Sequence, residues 1–485
     1  MSVRTFGTAT VLLVLALYSC VATVGVQGNS QLFPERFRDG QAYERALSAE
    51  RHHHGSIGFT PNTTANFFNQ FIFHNDPSVG TFADKFYYDM TYYNKSGPIG
   101  PLCMMYLNGE APLNGAVGGY MADIAQAVGA CTLTIEHRWY GVSLPGPLTD
   151  KDLLTRSLTV NEAMEDVVAL MRHFEQQIIG TTPTWMLVGG SYSGAVTVWM
   201  NEKYPGLFKA SWAASGVVRA TFDYTDYDGH VKEVVSRECG DALSNVMRIA
   251  EEKWETENAR LRQLFNIPTY NGKTDMMWAM ADASASSVQY SMKDRMCNSI
   301  LPPAAGGDWA VLQQYATMVV NEWGPNFMAS CYYSTECLSN SSYAAQWGPA
   351  GYSWIWECCN EVAYWQTGYP GSIRSPNVTT SYFIDQCRSA FYNDTFPDTW
   401  AFNKRHHGLH PQTLGNIVAT QGSDDPWSTT GLRVSQGPTF PVNTAQCDNC
   451  GHCGSMMSPR TSDPANLQAQ RALVLSSLKQ WLFGG

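Results

Sequence analysis

The sequence contains little charge and no basic cluster. Charged residues make up 15% of the 485 residues, the formal net charge is −11, and Lys and Arg form no runs. Nucleic-acid-binding proteins present basic patches, and anionic membranes attract polybasic segments, so we expect this chain to bind neither. The sequence also lacks internal repeats and low-complexity tracts. Because 44% of its residues are hydrophobic, it can bury the core of one large α/β domain with an insertion, or of about three domains.

Long hydrophobic runs are absent apart from one stretch near the amino terminus. Arg4 precedes the apolar residues 11–17, and small residues follow, so cleavage after Ala22 or Gly28 fits a secretory signal peptide over residues 1–28. The apolar stretch is shorter than the roughly 20 residues that a membrane-spanning helix needs. We therefore expect a cleaved signal and no membrane anchor.

The cysteines favour the same compartment. The chain has 13, and removal of Cys20 with the signal leaves an even number, which suits disulfides in an oxidising environment. We expect a protein of the secretory pathway, either lysosomal or extracellular. Five glycosylation sequons are consistent with that route, at Asn62, Asn94, Asn340, Asn377 and Asn393.

Alternating strand and helix patterns predict a mostly parallel sheet covered on both faces. Apolar or β-branched runs at 102–107, 131–135 and 185–188 read as buried strands. Between the second and third strands, Thr159 and Glu162 form a capping-box pattern before a helix with one apolar face, and a further helix is expected from Ala195. The fold class is therefore α/β.

A long insertion separates the last predicted strand from the others. Residues 218–410 are rich in Trp, Tyr, Met, Cys and Gly with helical patches, whereas the strand pattern returns at 416–420. We predict an α/β domain in two parts, 29–217 and 411–485, and a mostly helical cap over 218–410. Asp463 is expected to cap the C-terminal helix.

The sequence Gly189-Gly190-Ser191-Tyr192-Ser193 lies between a predicted strand and a predicted helix. This is the context of a nucleophile elbow, in which small residues flank an exposed serine at a sharp turn. Ser191 is the preferred nucleophile, and Ser193, deeper in the helix, is the alternative.

A catalytic serine needs a base and an acid that orients it, in the hydrolase chain order Ser, acid, His. The predicted strand 416–420 is followed by Asp424 and Asp425, and we favour Asp425 because Pro426 restricts the chain there. His452 lies in a loop further on. The candidate triad is Ser191, Asp425 and His452.

Other chemistries stay open at this point. Cys450-Gly451-His452-Cys453 has the form of a redox-active Cys-x-x-Cys site, so a thiol–disulfide oxidoreductase using Cys450 and Cys453 is an alternative. Cys447 together with these residues has the donor types of a zinc site, although disulfides suit the compartment better and we expect no metal. A catalytically silent, hydrolase-like binding protein is the third alternative.

Several motifs in the same order resemble the serine carboxypeptidase family of lysosomal prolyl carboxypeptidase, dipeptidyl peptidase II and thymus-specific serine protease. They are Glu-His-Arg-Trp-Tyr-Gly at 136–141, Gly-Gly-Ser-Tyr-Ser-Gly at 189–194, Asp-Pro-Trp at 425–427 and Gly-His-Cys at 451–453. The resemblance implies an α/β-hydrolase fold with a helical cap. It also implies an exopeptidase that favours cleavage after proline, with the triad named above.

The elbow context also predicts the surroundings of the triad. The backbone N–H of Tyr192 is the first expected oxyanion donor, and a second is expected from Gly109 or Glu110, after the strand 102–107. Glu361 and Trp427 are candidate substrate-binding residues, and Glu361 would suit a peptide's amino terminus. We expect peptide substrates and no cofactor, while a homodimer remains open.

Overall fold

A computed structural model describes residues 64–302, 305–340, 349–391, 396–413 and 415–484. The predicted signal peptide, Asn62 and Asn393 lie outside these ranges. Within them, no helix combines the length and the apolar character that a membrane crossing requires.

The centre of the molecule is an eight-stranded sheet in the order β1-β2-β4-β3-β5-β6-β7-β8. The pairs β1–β2 and β2–β4 are antiparallel, and every other neighbouring pair is parallel. The strands are β1 (Asn66–Phe71), β2 (Thr81–Asp89), β3 (Leu102–Leu107), β4 (Cys131–Ile135), β5 (Thr184–Gly190), β6 (Ala210–Ala214), β7 (Ile417–Gly422) and β8 (Val442–Ala445).

The helices divide between the faces of this sheet and the long connection from β6 to β7. Those outside the connection are α1 (Gly119–Val128), α2 (Lys151–Ser157), α3 (Val160–Phe174), α4 (Tyr192–Lys203) and α14 (Ala465–Phe483). Those inside it are α5 (Thr225–Val234), α6 (Arg237–Phe265), α7 (Lys273–Gln289), α8 (Lys293–Ile300), α9 (Asp308–Trp323), α10 (Thr335–Ser339), α11 (Pro349–Glu357), α12 (Thr380–Phe391) and α13 (Thr399–His406).

Successive residues of the central strands bury on opposite faces of the sheet. In β3, Met104 and Tyr106 belong to the core shared with α1 and α14, whereas Cys103 and Met105 belong to the core shared with α3 and α4. This two-residue period is that of a strand with both faces covered. The fold is therefore an α/β-hydrolase sheet, and the helices between β6 and β7 form its cap.

The cap is cross-linked by disulfides of its own. Cys239–Cys297, Cys331–Cys337 and Cys359–Cys387 lie within it, Cys103–Cys131 joins β3 to β4, and Cys447–Cys450 closes a loop after β8. Among the described cysteines, Cys358 and Cys453 are buried thiols. The even cysteine number therefore does not mean that every cysteine is paired.

Two predicted helix caps differ from the structure. Thr159 does accept a hydrogen bond from the Glu162 N–H at 3.2 Å, but the Glu162 carboxylate accepts from the backbone of His74 instead of completing the box. The C-terminal helix α14 begins at Ala465, so its N-cap position is Pro464 and not the predicted Asp463. Asp463 pairs with Arg471 at 2.5 Å instead. In both cases the carboxylate bonds to a group other than the N–H groups at the helix start.

Candidate active site

Ser191 occupies a strained turn between β5 and α4. Its φ is 59° and its ψ is −127°, a backbone conformation that residues with a side chain rarely adopt. The turn needs a small residue before it, since a Cβ on Gly189 would lie 2.1 Å from the carbonyl oxygen of Ser193. The helix consequently begins at Tyr192, three residues earlier than the sequence pattern indicated. Ser191 itself is partly exposed and lines a cavity.

Ser193 has the opposite environment. It is 1% exposed, it is absent from the cavity lining, and its Oγ has no hydrogen-bond partner among the described residues. A Cβ built on Gly109 would lie 3.6 Å from this oxygen, so Ser193 sits beneath the turn after β3. Substrate entering the cavity meets Ser191 rather than Ser193.

Asp425 and His452 are hydrogen-bonded to each other at the carboxyl edge of the sheet. Asp425 is fully buried, and its Oδ2 lies 2.7 Å from Nδ1 of His452. Its other oxygen accepts the N–H of Trp427 at 2.9 Å, which fixes the carboxylate plane. Because a carboxylate only accepts, Nδ1 carries the proton and Nε2 of the neutral ring is free to act as a base.

Asp424, the alternative acid, points elsewhere. Its Oδ2 lies 2.9 Å from the ammonium of Lys293 and 2.7 Å from the N–H of Asn449. Asp424 therefore ties the loop after β7 to α8 and to the loop of His452.

The proton affinity of His452 follows from its partner. Burial lowers the pKa of this imidazole, but the charge and hydrogen bond of Asp425, together with the neighbouring Cys453 side chain, outweigh that effect, so its pKa lies well above the ordinary 6.5. The neutral base form of His452 is therefore favoured only in neutral to alkaline solution.

Backbone N–H groups near Ser191 are available to a developing oxyanion. Tyr192 is the first residue of α4, so its N–H has no intrahelical acceptor. Gly109 and Glu110 follow β3 and line the same cavity as Ser191, and within the described chain the N–H of Gly109 has no acceptor. Burial raises the pKa of Glu110, and a hydrogen bond between its carboxylate and its own backbone N–H lowers that pKa by less. The N–H of Glu110 therefore already has an acceptor. The donor is therefore better placed on Gly109.

A buried carboxylate, Glu136, holds two turns at this edge of the sheet. It accepts from the N–H of Leu113 at 2.7 Å, beyond the Gly109 turn, and from the N–H of Val142 at 2.8 Å. A Cβ on Gly141 would lie 2.2 Å from a Glu136 oxygen, which explains the glycine. The motif 136–141 thus holds these two turns together through its carboxylate, and its glycine leaves room for that carboxylate.

Glu357 lies beneath the elbow in a network that the sequence did not reveal. Its carboxyl group accepts from the hydroxyls of Tyr140 and, at 2.9 Å, Tyr192. Nδ1 of His137 donates to the carbonyl of Arg138 and therefore carries the proton, so Nε2 is unprotonated and lies 3.4 Å from the Tyr192 hydroxyl, whose single proton goes to Glu357. Burial raises the pKa of Glu357 to about 8 and lowers that of His137 to about 4, so both groups are neutral at pH 7.

The cavity above these residues has a volume of about 300 Å³ and is walled mostly by aromatic side chains of the cap. Its described lining includes the carboxylates of Glu110 and Asp282 and the imidazole of His452, but no Lys or Arg. Asp282 pairs with Arg374 at 2.9 Å, and Arg374 also pairs with Asp228 at 2.8 Å. The buried trio therefore carries a net charge of −1 when its carboxylates are ionised.

Comparison with known proteins identifies the family. The chain matches the serine carboxypeptidase S28 family over residues 70–474, which is most of its length. It belongs to that family. It is therefore a serine-type peptidase.

Curated relatives agree with this membership. A probable serine protease of Arabidopsis thaliana is 28% identical over 80% of each chain. The human thymus-specific serine protease is 25% identical over 81% of each chain. A probable extracellular serine carboxypeptidase of Arthroderma benhamiae is 24% identical over 72% of this chain and 56% of its own.

The two candidate substrate-binding residues of this S28 peptidase have different positions. Trp427 lines the cavity, and its ring lies 5.1 Å from that of Tyr227. Glu361 is not part of the lining. Its carboxylate accepts the N–H of Val160 at 2.7 Å, at the start of α3, where a negative charge suits the helix terminus. Burial raises the pKa of Glu361 to about 6.

The structure does not contain the Cys450–Cys453 dithiol that the redox alternative requires. Cys450 is bonded to Cys447, so the pair Cys450–Cys453 that an oxidoreductase requires is not formed. Cys453 packs beside the elbow instead, with its N–H donating to Ser215 at 2.9 Å. Across the described ranges, no group of three or more His, Cys, Asp or Glu side chains is arranged to hold a metal ion.

Three of the five sequons fall within the described chain. Asn94, Asn340 and Asn377 are all exposed, as glycosylation requires. Their modification stays a prediction.

Proposed function

We propose that this S28 peptidase is an exopeptidase that works through Ser191, His452 and Asp425 and through an acyl-enzyme. The observation that carries the proposal is the 2.7 Å bond between Asp425 and His452 at the cavity that Ser191 lines. That bond orients the imidazole and stabilises it once protonated, as a serine peptidase requires.

In the first half-reaction, Oγ of Ser191 attacks the scissile carbonyl carbon and its proton passes to Nε2 of His452. The carbonyl oxygen becomes an oxyanion facing the N–H groups of Tyr192 and Gly109. Loss of one such donor costs about 3 kcal/mol of transition-state stabilisation. The imidazolium then gives its proton to the leaving amine, and an ester of Ser191 remains.

In the second half-reaction, water attacks that ester while His452 takes a proton from the water. Collapse of the tetrahedral intermediate releases the carboxylic acid product and returns a proton to Ser191.

The charges of the cavity favour a free amino end as the terminus that is read. A peptide carboxylate would enter beside Glu110 and Asp282 with no Lys or Arg in the described lining to pair with. An ammonium group would find the net negative charge of the Asp228–Arg374–Asp282 trio. Burial raises the pKa of Asp282, and an arriving cation would favour its ionised form.

Cleavage after proline suits the walls of the cavity. The lining includes Trp354, Tyr364 and Trp427, whose flat faces match an apolar pyrrolidine ring better than a charged side chain. The proline preference of the proposal rests on this match and on the family resemblance.

We place the enzyme in the secretory pathway, in the lysosome or outside the cell. Five disulfides favour an oxidising compartment, and one relative is named as extracellular. The raised pKa of His452 favours activity near neutral pH over activity in the lysosome.

The test is digestion of matched peptides from pH 4 to 8, with products identified by mass spectrometry. The set carries proline second from either end, with each end free or blocked. We expect cleavage that needs a free amino end and disappears in Ser191→Ala. Cleavage that needs a free carboxyl end reverses the proposed direction, and Ser191-independent cleavage contradicts the triad.

Asp282→Asn tests the recognition of the amino end separately. We expect KM for free-amino peptides to rise about tenfold, since one buried charge contact is lost, with little change for amino-blocked peptides. Asp228→Asn is the control, because Asp228 pairs with the same Arg374 but does not line the cavity. Equal losses in the two variants would contradict a contact with substrate.

A further inference from the structure

Gln289, the last residue of α7, lines the cavity close to the candidate triad and has no role in the mechanism above. Its side chain is only 6% exposed. Its backbone carbonyl accepts the N–H of His452 at 2.7 Å. The residue is therefore held in a constant position relative to the base.

The orientation of its amide is determined by two aromatic donors. Oε1 of Gln289 lies 2.8 Å from Nε1 of Trp427 and 2.6 Å from the hydroxyl of Tyr227. An indole N–H can only donate, so the amide oxygen must face Trp427 and the NH₂ group must face away from it. The usual ambiguity between the two ends of a glutamine amide does not arise here.

The N–H donors of the Gln289 side-chain amide are unused. Within the described chain it has no hydrogen-bond acceptor, and it is not among the fully enclosed polar atoms that lack a partner. A donor held in this way at the wall of a cavity is suited to an oxygen of whatever enters it. It is unsuited to an ammonium group, which also only donates.

We propose that Nε2 of Gln289 donates a hydrogen bond to a backbone carbonyl of the peptide substrate, which makes Gln289 a binding residue for the acyl portion. This inference rests on the proposed exopeptidase function. When the amino-terminal portion fills the cavity, the scissile carbonyl faces Tyr192 and Gly109. The carbonyl one residue earlier then remains for Gln289.

The bond would also favour peptides over simple esters. A substrate whose acyl portion has no second carbonyl leaves the Gln289 donor without an acceptor, so it gains nothing from this contact. Only contacts with the aromatic walls of the cavity would then position such a substrate relative to Ser191.

The experiment compares wild type with Gln289→Met on two substrates. One is a free-amino dipeptide amide ending in proline, and the other carries an alkene in place of the amide bond between its two residues. We expect Gln289→Met to lower kcat/KM about five- to tenfold for the peptide and hardly at all for the alkene analogue. An equal loss on both substrates would overturn the proposal, because a structural role does not depend on the substrate carbonyl.

The control is a fluorophosphonate, which phosphonylates the nucleophile directly with loss of fluoride. Its rate of reaction with Gln289→Met should match wild type, since the backbone carbonyl that holds His452 is retained. A matching fall in this rate would mean that Gln289 acts through His452 and would also overturn the proposal. If the fluorophosphonate fails to label wild type at Ser191, the proposed peptidase mechanism itself fails, and the inference fails with it.

Gln289→Glu separates the two ends of the amide. Glutamate keeps an oxygen for Trp427 and Tyr227 but replaces the NH₂ donor by an acceptor. We expect it to lose as much activity on the peptide as Gln289→Met does, whereas full activity would contradict a donor role.

Discussion

The floor and the roof of the cavity are built in different ways. The floor comes from short segments that directly follow strands, such as Gly109 after β3, Ser191 after β5 and Asp425 after β7. The roof comes from side chains dispersed over the cap, such as Tyr227, Asp282 and Gln289. Parallel strands bring their carboxyl ends to one edge, so floor positions follow from strand order alone. Roof positions depend on how the helices pack.

The two regions also differ in the partners of their buried acids. In the floor, Asp425 is paired with His452 and raises the pKa of that imidazole. At the base of the roof, Glu357 accepts from tyrosine hydroxyls, and burial, with a smaller contribution from the nearby Glu361 and Glu110, raises its pKa to about 8. A buried carboxyl group without a cationic partner favours its protonated form, because burial disfavours the charged one.

The largest expected effect comes from replacing the proposed nucleophile in the floor of the cavity. Ser191→Ala should lower kcat by about 10⁴-fold or more, because the acyl-enzyme no longer forms. Ser193→Ala is the matched control and should stay near wild type, since its Oγ lies outside the cavity lining. Peptide turnover with active-site labelling measures both. Loss of activity in Ser193→Ala alone would reverse the assignment.

The next effect separates the two neighbouring aspartates. Asp425→Asn should lower kcat by about 10³- to 10⁴-fold, because an amide no longer holds His452 in the tautomer that a base needs. Asp424→Asn should retain the chemistry and lower thermal stability instead, through its contact with Lys293. Paired kinetics and thermal unfolding measure the difference. Equal kinetic losses would contradict the separation.

The smallest expected effect is on the pH dependence of activity, in which the acid limb reports His452 of the floor and the alkaline limb reports Glu357 of the roof. In wild type, activity should fall in acid as His452 is protonated, with a midpoint above 6.5, and fall again above about pH 8 as Glu357 ionises. Glu357→Gln imitates the protonated acid and should remove the alkaline fall. A pH–rate profile of both proteins measures this, and an unchanged alkaline limb would exclude Glu357 as its origin.

The free energy of unfolding should also depend on pH through the ionisation of Glu357. The folded state holds a proton on Glu357 up to about pH 8 that the unfolded chain releases near its ordinary 4.5, so wild-type stability declines as pH rises between those values. Glu357→Gln should flatten that decline. Glu361→Gln is the control, since its pKa of about 6 limits its share to a lower and narrower range of pH.

The elements that sequence predicted best are those whose signal is local. The strands at 102–107 and 131–135 have the bounds that their apolar runs indicated. Thr159 caps α3 because its hydroxyl needs only an N–H three residues away. The flanking glycines placed Ser191 at a turn between strand and helix, since backbone crowding there excludes larger side chains.

Predictions failed where a side chain had a choice of several partners. Glu162 and Asp463 were expected to serve helix ends, but Glu162 accepts from the backbone of His74 in another segment, and Asp463 pairs with Arg471 within α14. The disulfide pairing, which the sequence left open, joins Cys450 to Cys447. Spacing along the chain does not decide among partners of similar chemistry, because the distances between them depend on the folded backbone.

The sequence by itself determined the order of strands and helices, the strained position of Ser191 and the order in which Asp425 and His452 follow it, because these depend on neighbouring residues. The sequence favoured Asp425 over Asp424, and the tertiary structure shows that Asp425 bonds to His452. Only the tertiary structure decided that Glu357 stays protonated beneath the elbow and that the Gln289 amide faces the cavity. Those properties arise from burial and from partners more than 25 residues away in the chain, which only the folded sheet and the packing of the cap on it bring together.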